Sequence, residues 1–106
     1  MSSSPDPQPV TLTNPHHRRT LLQLFQHPTS RSIEWHAVFS LLEAVGSVEV
    51  RHGGEYAVHV GAKTAFLARP KGKDMDVEQV LVVRRLLSGA GYGSVVDALR
   101  AGGDEV

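Results

Sequence analysis

The chain of 106 residues has no cysteine, so it can build neither a disulfide framework nor a thiolate nucleophile. It has no net charge either: 11 Lys and Arg balance 11 Asp and Glu, which excludes a strongly basic coat for nonspecific nucleic-acid binding. No apolar run approaches the roughly 20 residues that span a bilayer, so no membrane partner is expected. The opening Met-Ser-Ser-Ser-Pro-Asp-Pro-Gln-Pro lacks the basic and apolar regions of a secretory signal. A cytoplasmic location is the expectation. Gly-x-x-x-x-Gly-Lys, Gly-x-Gly-x-x-Gly and a serine nucleophile elbow are all missing, which leaves nucleotide hydrolysis and serine hydrolase chemistry without a motif.

What is present outlines one domain. The Ser- and Pro-rich residues 1–13 are expected to be disordered, residues 14–92 to fold, and residues 93–106 to form a tail that is partly helical or disordered. Asn14 followed by Pro15 marks a helix start, an N-cap and a proline at the first helical position. A second helix carries Trp35, Val38, Phe39 and Leu42 at i, i+3, i+4 and i+7, with Ser32 as its expected cap and Gly46 as its stop. This stripe makes Trp35 and Phe39 core residues.

Three strands follow. In the first two, Val48 and Val50, then Tyr56, Val58 and Val60, alternate with polar residues. A two-residue Gly-Gly turn would pair Arg51 with Tyr56 and mix apolar and polar side chains on one face. A three-residue loop, His52-Gly53-Gly54, pairs Val50 with Tyr56, Val48 with Val58 and Arg51 with Glu55, and it places Gly54 where a left-handed residue is wanted. The third strand covers about Lys63 to Ala68, with its facing left open because Phe66 and Leu67 are both apolar. A last helix is expected from Asp74 or Asp76, with Val77, Val80, Val83 and Leu87 as its stripe, Arg84 and Arg85 in its last turn, and Gly89-Ala90-Gly91 as its stop. Arg84 falls inside the apolar arc, with its head expected to reach out at the edge. The expected fold class is α+β, in the order α-α-β-β-β-α, with helices on one face of a three-stranded antiparallel sheet and an open polar face.

Charge is segregated along this chain. Residues 16–73 hold all 6 histidines and 8 of the 11 basic residues against 4 acids, a local excess that suits a phosphate-bearing partner.

Residues 35–46, reading W-x-x-V-x-x-L-L-x-x-x-G, the Gly53-Gly54 hairpin, the stretch from Phe66 to Arg69-Pro70, and Val83-Arg84-Arg85-Leu86-Leu87 before Gly91 carry a resemblance. Over about residues 17–92 this ordered set resembles the HicA-type toxins, small bacterial mRNA interferases with a double-stranded-RNA-binding-like fold. The resemblance implies RNA as partner, endoribonuclease chemistry, and an antitoxin protein that covers the active face. It also implies a catalytic histidine just after the hairpin glycine, where this chain has Glu55.

Glu55 is one candidate catalytic residue by position, and its plainer reading is the cross-strand ion-pair partner of Arg51. His59, on the open face of the second strand, is the other. Strand spacing of about 3.3 Å per residue sets the two about 13 Å apart, too far to share one scissile bond. His52 sits in the hairpin loop and His36 on the polar side of its helix. His16, His17 and His27 match no zinc signature, so no metal and no cofactor is expected. Arg69, Lys71 and Lys73 form an expected mobile basic loop suited to backbone phosphate. With Arg51 and Lys63 they make the expected RNA-binding set.

Overall fold

The computed structural model describes residues 9–102, in the order α1 (Pro15–Leu24), α2 (Trp35–Val45), β1 (Ser47–Val50), β2 (Glu55–Val60), β3 (Lys63–Ala68), α3 (Val77–Gly89) and α4 (Tyr92–Gly102). The strands form one antiparallel sheet in the order β1-β2-β3. Helices α2 and α3 lie against one face of it, and α1 and α4 pack on those helices. The fold is thus α+β as expected, with a fourth helix added at the end.

The hairpin has the register that keeps the apolar set together. Val50 pairs with Tyr56 and Val48 with Val58, across a single 3-10 turn at His52–Gly54. Both Gly53 and Gly54 have φ of 80°, so the turn uses two left-handed residues where the sequence argued for one. On β3, Leu67 faces the helices opposite Tyr56 and is buried, while Phe66 faces outward. Ring contacts at 5.4–5.6 Å join Trp35, Phe39 and Tyr56 into one cluster, which seats α2 on the sheet.

Helix α1 starts as read, the Asn14 side chain accepting from the His16 N–H at 2.8 Å. Helix α2 starts differently. Ser32 does not cap it; the helix begins at Trp35, whose N–H donates to the Lys73 carbonyl at 2.8 Å, while the Met75 N–H donates to the Ile33 carbonyl at 3.0 Å. A short antiparallel bridge between residues 33–35 and 73–75 therefore replaces the side-chain cap. Helix α3 runs on to Gly89, so Arg84 and Arg85 precede its last turn.

Arg84 spends its guanidinium on α1. Its Nε donates to the Leu24 carbonyl at 2.7 Å and its Nη2 to that of Gln26 at 2.9 Å, while Arg100 of α4 donates to the Phe25 carbonyl at 3.1 Å. These are helix-end carbonyls with no partner inside α1.

The folded unit reaches past residues 14–92 at both ends. Leu12 is buried in the core, the Val10 N–H donates to the Tyr92 hydroxyl at 2.7 Å, and Val96 of α4 is buried. The disorder expected for the rest of the N-terminal stretch falls on residues 1–8, and the end of the tail on residues 103–106; both lie outside the described residues.

Gly46 has an extended backbone, yet it admits no side chain: a Cβ there would run into the His59 carbonyl on β2. Because the obstacle is backbone, relief requires moving β1 or β2. Gly46→Ala should destabilise the fold by about 3 kcal/mol. Gly72→Ala, where a Cβ meets nothing within 4 Å, should be close to neutral. Urea unfolding of the two variants checks the contrast.

Candidate nucleic-acid interface

Strand alternation sends Glu49, Glu55, Ala57, His59, Thr64, Phe66 and Ala68 to the face away from the helices. Glu49, Glu55, Thr64, Phe66 and Ala68 are exposed there, so no element covers that face among the described residues.

Two polar clusters occupy it. At the hairpin end, Arg51 Nε lies 4.0 Å from Glu55 Oε1, with both side chains about half exposed, and the Arg51 guanidinium lies 5.4 Å from the centroid of the Phe66 ring. The Arg51 N–H also donates to the Glu55 carbonyl at 2.7 Å, which fixes the two backbones side by side. Glu55 therefore has the ion-pair partner that its strand position suggested. The pair is weak at this exposure.

Towards the other end of the sheet, His59 Nδ1 is 2.9 Å from Thr64 Oγ1 and His59 Nε2 is 3.5 Å from Glu49 Oε1. A carboxylate can only accept, so the neutral ring that satisfies both contacts donates from Nε2 to Glu49 and accepts from the Thr64 hydroxyl at Nδ1. The lone pair that a general base would use is thus engaged by Thr64, and it becomes free when that hydroxyl rotates away. Glu49 orients the ring. The sequence reading missed Glu49 and Thr64, although the strand register carried the signal: Thr64 pairs with His59, and Glu49 is its diagonal neighbour. Glu55 and His59 share the face but belong to separate clusters.

The five expected RNA-binding cations divide by position. Arg51 and Arg69 flank the hairpin end of the sheet, since Arg51 adjoins Glu55, Glu55 pairs with Ala68, and Arg69 follows. Lys71 and Lys73 continue from there. Lys63 begins β3 at the opposite end, where its side-chain carbons lie against Gly89 of α3. With Arg85 it lines a shallow cleft of about 400 Å³ between β3 and α3. Arg69, Lys71 and Lys63 are exposed and have no salt bridge among the described residues. The loop expected to be mobile is held at its far end. Lys73 bonds Trp35 through its carbonyl, and its ammonium lies 3.7 Å from a Glu34 carboxylate oxygen.

The remaining histidines are dispersed. His17 meets Ser40 of α2 at 2.9 Å, and His16, His27, His36 and His52 are exposed. Among the described residues no group of three His, Asp or Glu could hold a metal ion, and no helix is long and apolar enough to cross a membrane. No family model, curated protein or solved structure matches the chain.

A histidine in general acid–base catalysis contributes about 10²- to 10⁴-fold. Glu55, tied to Arg51, offers a weak base and no matching acid, and His59 has its lone pair engaged. RNA cleavage by the wild type should therefore be weak or absent, and His59→Ala should remove any that exists. Glu55→His should raise it if the scaffold still presents that position to RNA. Strong wild-type cleavage that survives His59→Ala would place the chemistry elsewhere.

Proposed function

We propose that the chain is an RNA-binding domain of the HicA-like kind, the toxin partner of an antitoxin protein in a cytoplasmic toxin–antitoxin pair, with at most weak mRNA interferase activity. The observation that carries this reading is an uncovered sheet face with unpaired cations at its rims. Arg69 and Lys71 stand at the hairpin end and Lys63 at the other, and none has a salt bridge among the described residues. Flexible cations bind phosphate without reading sequence, and a face between two such rims lets a strand lie across the sheet. The α2-β1-β2-β3-α3 succession has the order that the resemblance implies. An antitoxin would act by covering the same face.

A second reading has its own support. Glu55, bound to Arg51, stands where the resemblance expects the catalytic histidine. On that reading the domain binds RNA or protein on the same scaffold without cleaving.

Replacing Arg69, Lys71 and Lys73 together with alanine should weaken binding to all RNA sequences alike. Each lost phosphate contact flattens the slope of log K against log salt by about 0.7 for single strands. Lys73 already has a carboxylate partner, so the expected change in slope is nearer that of two contacts than three. Fluorescence anisotropy across a salt series measures both effects. Unchanged affinity and slope would remove the rim from the interface and the reading with it.

A further inference from the structure

A half-exposed phenylalanine on a sheet face offers a planar apolar surface to a partner. Phe66 is 51% exposed on the uncovered face, part-way along the edge strand β3. Its neighbours on the sheet are small, Ala57 opposite on β2 with Ala68 and Thr64 flanking it on β3. The Arg51 guanidinium approaches the ring, and the same side chain reaches Glu55. One arginine thus ties a stacking surface to an acceptor carboxylate. Glu55 pairs with Ala68 and Phe66 with Ala57, so Glu55 and Phe66 are diagonal neighbours about 7–8 Å apart. A planar ring lying on Phe66 would present its edge to that carboxylate.

Resting on the RNA-binding reading above, we propose that Phe66, Arg51 and Glu55 form a nucleobase site that takes one unpaired base and favours guanine. The base stacks on the Phe66 ring in the place the Arg51 guanidinium now holds, the guanidinium moving to its edge, as unpaired bases do on aromatic and arginine planes. Its edge donates to Glu55. Charge decides which part of the nucleotide lies here. Beside the ring the Arg51 charge is balanced by Glu55, whereas Arg69, Lys71 and Lys63 at the ends of the sheet have no salt bridge among the described residues and attract phosphate, so the ring suits a base and the ends of the sheet suit backbone. A carboxylate has two acceptor oxygens and no donor. Guanine presents its N1–H and N2–H side by side and can satisfy both oxygens. Uracil presents a single N3–H between two carbonyls that repel the carboxylate. A base inside a duplex has both faces stacked and cannot enter.

The test is anisotropy at low salt with fluorescein-labelled single-stranded oligouridine, the same oligomer carrying one central guanosine, and that oligomer annealed to its complement. The wild type should bind the guanosine strand about tenfold more tightly than oligouridine, and the duplex more weakly than either. Phe66→Ala should lower affinity for both single strands by about tenfold to a hundredfold. Glu55→Gln should remove the guanosine preference while keeping oligouridine binding. Both positions are exposed, and circular dichroism checks that the variants fold. If wild type binds RNA and both variants bind every strand as it does, the base site is overturned while the RNA reading stands. Preferred binding to the duplex also overturns the site. If the wild type binds none of the three, the RNA reading itself fails.

Discussion

The strand register set by the His52-Gly53-Gly54 turn is the constraint on which the other features depend. Side chains alternate with a period of two, so a slip of one residue would exchange the faces of a strand. Val58 and Val60 would turn to water, and Glu55 and His59 would turn to the helices with no partner for a buried charge. The two left-handed glycines hold this register at one end of the hairpin. Gly46 holds it at the other, where β1 runs so close to the His59 carbonyl that only a hydrogen fits. Between these points β2 pairs on both sides and passes the same facing to β3. The aromatic cluster under α2 and the polar clusters on the outer face are two results of one alignment.

The open face is electrically mixed. Arg51 is balanced by Glu55, Glu49 has only the hydrogen bond from His59, and Arg69, Lys71 and Lys63 at the ends of the sheet have no salt bridge among the described residues. The Arg51–Glu55 pair adds little field at a distance, and the charges left over are screened beyond a Debye length of about 8 Å at physiological salt. A partner on this face would be held by contact. That agrees with a neutral total charge better than electrostatic capture at a distance would.

Features that rest on neighbours along the chain were legible in the sequence. The Asn14-Pro15 start of α1 needs only adjacent residues, and the hairpin register follows because one pairing alone keeps the valines and Tyr56 together. Features settled by distant partners were not legible. Ser32 had the chemistry of a cap, but the N–H of Trp35 is satisfied by the Lys73 carbonyl after the sheet has been crossed. Phe66 and Leu67 are both apolar and adjacent, so only pairing with β2 and the presence of α3 on one side could decide between them. Helix α4 had a signal in Tyr92, Val96 and Leu99 at helical spacing. Gly91 and Gly93 obscured it, and its burial comes from α3 and the N-terminal residues packed beside it.

The arginines at the end of α1 bear on how the molecule assembles. The carbonyls of residues 24–26 receive their hydrogen bonds from Arg84 and Arg100, across sequence separations of 60, 58 and 75 residues. On a ribosome, α1 emerges before these donors, and meets Arg84 only once α3 has been made and Arg100 only once α4 has. Long loops of this kind slow folding, because closure entropy is lost before the contact forms. The end of α1 is therefore completed by parts of the chain made much later, and the α1 terminus, α3 and α4 are tied into one unit.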